Sequence, residues 1–183
     1  MIVVDVFKTV MFLYLLGGWI LIANVSFTDP SLAQSIFHNT MVLGSKISEI
    51  GDISSGNKAL RNDQMMQLYR FTDFTEIRLF CHKPWHGRTV HVILNIVQAY
   101  LFGNIDVDYC GKTRYLADDT SLIKTRLCSH IKCARKCSNI YDHLFYVGGS
   151  YHVHFSSKNR FECDDHSKIS GFQNTGTWFF YVR

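Results

Sequence analysis

Thr177-Trp-Phe-Phe-Tyr-Val-Arg183 closes the chain with six consecutive aromatic or β-branched residues, too aromatic a run for a loose tail. Such residues favour a pleated, half-buried surface. The stretch therefore predicts a strand that brings the C-terminus back beside the rest of the fold. Working outward from it, Thr89-Val-His-Val-Ile-Leu and Tyr151-His-Val-His-Phe alternate polar with apolar, as half-buried strands do. Further strands are expected at Glu76 to Cys81, Ala99 to Phe102, Leu144 to Val147, Ser150 to Ser156 and Arg160 to Cys163. Gly148-Gly149 between two of them is a hairpin signal. The expectation is a mainly β fold: an antiparallel, sandwich-like domain with an N-terminal helix and a disulfide-rich insertion. An α+β fold of the fibrinogen C-terminal kind is the alternative.

The helix is expected from Ser31 to Ile50, where Leu32, Ile36, Leu43, Ile47 and Ile50 recur at helical spacing. Thr28-Asp29-Pro30 supplies a cap and a first-turn proline. Asn39 and Lys46 interrupt the stripe, which favours docking on the domain over a coiled-coil seam. Gly51 to Lys58 reads as a linker, and Ala59 to Tyr69 as a short helical segment. Between Gly111 and His143 the pattern is irregular and polar, a loop-rich or partly helical insertion.

Ahead of all this, Thr9 to Ala23 is a run of fifteen uncharged, mostly apolar residues. A signal h-region spans roughly 7–15 residues, whereas a membrane span needs about 20. The organisation expected is a signal peptide over 1–23, a helical segment and linker over 24–68, and a β-rich module over 69–183. No stable membrane span is expected once the leader is removed. The sequon Asn24-Val25-Ser26 makes Asn24 a glycosylation candidate. The 160 residues left after the leader are enough for one domain with its own core.

All six cysteines, Cys81, Cys110, Cys128, Cys133, Cys137 and Cys163, follow the leader. In an oxidising compartment an even count reads as a disulfide framework, and six cysteines allow fifteen connectivities. Cys81 and Cys163 each end an expected strand, so a bridge between them would clamp the sheet. Cys110 with Cys128 would close a loop, and Cys133 with Cys137 one turn. Cys128, Cys133, Cys137 and His130 are ligand types suited to zinc, but their spacing is not a common finger spacing.

Composition narrows the partners. A formal charge of +4, with Lys124, Arg126, Lys132, Arg135 and Lys136 concentrated in the insertion, permits attraction to anionic polysaccharide. It does not demand nucleic acid. Asp118 with Asp119, and Glu162 with Asp164 and Asp165, are weak calcium candidates, since calcium takes hard oxygen ligands. No EF-hand loop surrounds them, and no cofactor is otherwise expected. His152 and His154 share one face of their strand, with His86, His91 and His166 as further imidazoles; the expectation is a solvent-facing strand surface. No phosphate loop, nucleophile elbow or His-Glu-x-x-His occurs, so no enzyme is expected.

Phe71-Thr-Asp-Phe-Thr-Glu-Ile-Arg-Leu-Phe-Cys-His-Lys-Pro84, Gly87-Arg-Thr-Val-His91, Leu116-Ala-Asp-Asp-Thr-Ser121, Phe161-Glu-Cys-Asp-Asp165 and Gly176-Thr-Trp-Phe-Phe-Tyr-Val-Arg183 follow one another in order. This set resembles a module of secreted cnidarian proteins, coral skeletal organic matrix proteins among them, over about Tyr69 to Arg183. Cys81, Cys110, Cys128 and Cys163 match the module's cysteines, and Cys133 and Cys137 stand as an added pair. The resemblance implies an extracellular protein of the organic matrix of a calcified skeleton, among matrix proteins, and implies no activity. A glycan- or protein-binding module of lectin or fibrinogen-like type is the alternative expectation.

Overall fold

The structure, a computed structural model, describes residues 18–95, 106–108, 113–123, 130–132, 143–147, 151–156, 160–166 and 174–183. The closing aromatic stretch is strand β11 (Gly176–Val182), and it lies inside a sheet rather than at its edge. Its buried residues alternate, so Trp178, Phe180 and Val182 face the core while Phe179 and Tyr181 are half-exposed. On one side it pairs antiparallel with β3 (Ile77–His82), placing Trp178 opposite Cys81 and Phe180 opposite Leu79. On the other side it pairs with β1 (Ile20–Phe27).

β3 continues through a tight turn into β4 (Thr89–Leu94), which pairs with β6 (Thr113–Tyr115). The short β2 (Lys58–Ala59) adds to the free side of β1. The order of this six-stranded sheet is β2-β1-β11-β3-β4-β6. A second sheet runs β10-β9-β8-β7-β5, built from β5 (Asp106–Asp108), β7 (His130–Lys132), β8 (His143–Val147), β9 (Tyr151–Ser156) and β10 (Arg160–His166). Every pairing between these strands is antiparallel. The chain is therefore mainly β, as the strand patterns predict, and its helices are short.

The two sheets meet through aromatic side chains. The Phe161 ring of β10 lies 4.4 Å from Phe27 of β1, 5.5 Å from Phe37 and 6.5 Å from Trp178, centroid to centroid. Phe27, Phe37, Phe161 and Trp178 are all fully buried, and aromatic pairs at these separations add about 0.5–1.5 kcal/mol each beyond their area. The Cys81–Cys163 disulfide joins β3 to β10 at the same level, tying one sheet to the other. Of the expected bridges this is the one formed among the described residues; Cys110, Cys128, Cys133 and Cys137 lie outside them.

The apolar run expected to end a leader at Ala23 reaches into β1, where Ile20, Ile22 and Ala23 are buried, and its first part, residues 1–17, lies outside the described set. Three expectations need correction. The expected helix over Ser31 to Ile50 is broken into an α-helix (Ala33–Phe37), a π-helical turn (His38–Leu43) and a 3₁₀ helix (Ile47–Ser55). Gly44, at φ +53° and facing the Arg61 backbone, sits at the break, and Leu32 is exposed. The expected linker is largely the end of that 3₁₀ helix, with Ile53 fully buried against the core. The expected insertion contributes β6 and β7 to the two sheets. The short helix after the linker does form, as Asn62–Thr72. The strand expected at Ala99 to Phe102 lies outside the described residues.

Gly176 opens β11 at φ +152°, and a Cβ there would stand 2.8 Å from both the His82 carbonyl oxygen and the Trp178 ring. Neither the left-handed backbone nor the β3 carbonyl can yield cheaply, each being a penalty of about 1–3 kcal/mol. Gly176→Ala is expected to lower the unfolding free energy by on the order of 3 kcal/mol, read by urea denaturation.

Candidate functional site

The β3–β4 turn, Lys83-Pro-Trp-His-Gly-Arg88, carries an unusual amount of charge into the interior. Gly87, at φ +68°, lets the turn close with its N–H donating to the Lys83 carbonyl at 3.0 Å. Across from it β10 bulges between Cys163 and Asp165, and Asp164 takes φ +59°. A bulge re-aims side chains, and here it presents two successive carboxylates in different directions.

Asp165 meets the turn. Its Oδ2 lies 3.0 Å from Lys83 Nζ and accepts the Cys163 backbone N–H at 2.8 Å. Both side chains have no solvent exposure. The other oxygen, Oδ1, accepts no hydrogen bond and lies 3.7 Å from His86 Nε2. Lys83 Nζ also sits 5.9 Å from the centroid of the Trp178 ring. Burial holds the Lys83 ammonium below its usual range, while Asp165 and then Glu162 pull the other way.

Asp164 turns toward a different set of donors. Its Oδ2 accepts Arg88 Nε at 2.5 Å and the Leu122 N–H at 2.9 Å, and its Oδ1 accepts the Ile123 N–H at 3.2 Å. The carboxylate thereby fastens the 118–123 segment to β10. Burial raises the Asp164 pKa, and the Leu122 N–H and Arg88 offset part of that rise.

His86 is fixed between the two partners. The Arg88 backbone N–H donates to Nδ1 at 3.0 Å, so the ring proton resides on Nε2 and points to the Cys163 carbonyl at 3.1 Å. Burial, then the Arg88 charge, lowers its pKa below 6.5. A His held unprotonated in the fold contributes stability that is present above about pH 6.5 and lost as pH falls toward the folded-state pKa. Chemical denaturation between pH 7 and pH 5 is expected to show this loss. In His86→Gln the slope of stability against pH is expected to be shallower over that interval.

A second network lies at the β4 edge. Arg78 Nε donates to His91 Nε2 at 2.6 Å, which leaves the ring proton on Nδ1, facing Asp118 Oδ1 at 2.6 Å. Asp119 accepts the His91 backbone N–H and both the N–H and hydroxyl of Ser121. These carboxylates organise a loop.

The expected site residues are thus distributed over several tasks. Asp118, Asp119, Asp164 and Asp165, expected as calcium candidates, face N–H, hydroxyl or cationic donors, and the donors would have to move before a cation could share these oxygens. Glu162 is fully buried, with Oε2 3.8 Å from His152 Nδ1 and 4.0 Å from His154 Nδ1. His152 and His154 are therefore buried against the neighbouring strand, not on the solvent-facing surface expected for them. Among the described residues no group of three or more His, Cys, Asp or Glu side chains is arranged to hold a metal ion. Asn24 lies within β1, its amide nitrogen donating to the Ser54 carbonyl at 3.1 Å, rather than on a surface loop. Lys132 lies in β7, and Lys124, Arg126, Arg135 and Lys136 lie outside the described set.

Lys83 and Arg88 are the functional candidates that sequence reasoning misses, while His86 enters there only as a further imidazole. Lysine is almost never fully buried unless paired, so nothing in a single sequence marks Lys83 as interior. Among the described residues no helix is long and apolar enough to cross a membrane. No known protein family, curated protein or solved structure matches this chain.

Proposed function

We propose that this chain is a secreted structural domain of an extracellular organic matrix, in a calcified skeleton as its sequence resemblance implies, without catalytic activity. The observation that supports this reading most is the buried Cys81–Cys163 bridge between the two sheets, which closes 82 positions of chain. Such bridges persist in oxidising, extracellular settings and are rare in the cytosol. A fold clamped in this way suits a protein that must last in place. Matrix proteins and anionic polysaccharide are the partners proposed, the latter through the chain's net charge of +4. Antibody localisation in tissue tests the reading. Signal in the extracellular matrix, with the intact chain released when mineral is dissolved, is expected; signal confined to the cytosol would overturn it.

A second reading, a glycan-recognition surface, rests on the outer face of the six-stranded sheet. Phe80 stacks on Phe179 at 5.5 Å, and Arg78 lies over the Tyr181 and Trp19 rings at 5.0 and 5.8 Å. Half-exposed aromatic faces beside cations can receive the apolar faces of acidic sugars. Binding on a glycan array that is lost in Phe179→Ala would favour this reading over a purely structural role.

A further inference from the structure

The Lys83–Asp165 contact has the parts of a condensation site. The amine and the carboxyl group are 3.0 Å apart at Nζ and Oδ2, both without solvent exposure, and they lie on opposite sides of the sheet-to-sheet junction. Water, which would favour separated ions and hydrolysis of any product, is excluded. We propose that Lys83 and Asp165 join in an intramolecular amide: Lys83 Nζ attacks Cγ of Asp165, the Cγ–Oδ1 bond breaks, and Oδ1 leaves as water.

The atoms balance within the pair. Transfer of one proton from the ammonium to the carboxylate gives a neutral amine and a carboxylic acid, a step within the pair that leaves no separated charge in the low-dielectric interior. Burial already biases Lys83 toward the amine. On attack, negative charge develops on Oδ2, which the Cys163 N–H holds at 2.8 Å, the role of an oxyanion donor. A second proton passes from nitrogen to Oδ1, the oxygen that accepts no hydrogen bond and faces His86 Nε2 at 3.7 Å. The Trp178 ring beside Nζ keeps the nucleophile desolvated. Holding both groups in contact converts a bimolecular condensation into a unimolecular one. No oxidant, metal or further reactant is needed.

The product would bridge the β3–β4 turn to β10 two residues beyond the Cys81–Cys163 disulfide, and unlike the disulfide it would survive reduction. The inference does not depend on where the protein works. Mass spectrometry of the folded, full chain after reduction and alkylation tests it. A chain lighter by one water, yielding a branched peptide that contains both Lys83 and Asp165, is expected. Asp165→Asn is expected to give the same branched product by release of ammonia instead of water, and Lys83→Arg to give none. Recovery of the two peptides separately, from a wild-type chain at its unmodified mass, would overturn the proposal and leave an ordinary buried ion pair.

Discussion

Replacing both Cys81 and Cys163 by alanine is expected to cost about 4.5 kcal/mol when Lys83→Met and Asp165→Asn are also present. The separation of 82 positions sets this magnitude. In the chain-entropy account a cross-link restricts the unfolded ensemble in proportion to the logarithm of the loop it closes, which gives that value for a loop of this length. For a chain of this size the corresponding fall in Tm is on the order of 10 °C. The Lys83→Met, Asp165→Asn background matters because a Lys83–Asp165 amide would close nearly the same loop. With that amide in place, the same cysteine replacements would release little further chain entropy, and the two cross-links would be strongly non-additive. Urea denaturation of the four chains in this cycle measures the coupling directly. Asn at 165 keeps an acceptor for the Cys163 N–H, and Met leaves no buried cation, so the background removes the cross-link without stranding a charge.

Asp164→Ala is expected to destabilise by about 3–5 kcal/mol, the range for breaking a buried ion pair by removing one partner. The carboxylate is fully buried and holds the Arg88 guanidinium and the backbone N–H groups of Leu122 and Ile123. Its loss leaves those two N–H groups without this acceptor and the 118–123 segment unfastened from β10. The backbone adds to the cost, since alanine tolerates φ +59° less well than aspartate or asparagine does. Asp164→Asn is expected to retain much of the stability, because it keeps the backbone preference and one acceptor oxygen. Thermal unfolding of the two variants separates these contributions: equal losses would mean that charge alone matters, and a larger loss in alanine that shape and acceptor geometry do.

How much of this was legible beforehand follows from the residue types. β11, β3, β4 and β10 carry aromatic or alternating patterns that only a half-buried strand satisfies, and their boundaries come out within a few residues of the expectation. β1 was hidden because Ile20 to Ala23 continues an apolar run that reads equally well as the end of a leader. A continuous apolar segment has no period to distinguish strand from leader. The pairing of Cys81 with Cys163 could be proposed because each cysteine sits in a strand, but the pattern does not say that the strands belong to different sheets. Lys83 to Arg88 lies between two expected strands, while the burial of Lys83 depends on a bulge in β10, a register shift that no local pattern announces. The same bulge decides what Asp164 and Asp165 do. As a pair of adjacent acids they suggest calcium; aimed apart, they neutralise Arg88 and Lys83. His152 and His154 were placed on one face correctly, yet that face is covered.

These features converge on one junction, where a disulfide, an aromatic cluster and two buried carboxylates lock the sheets together. Digestion of the native chain without reduction, followed by mass spectrometry of the linked peptides, tests that junction most directly. Peptides bearing Cys81 and Cys163 joined to each other are predicted. Finding either cysteine as a free thiol, or bonded to Cys110, Cys128, Cys133 or Cys137, would contradict it.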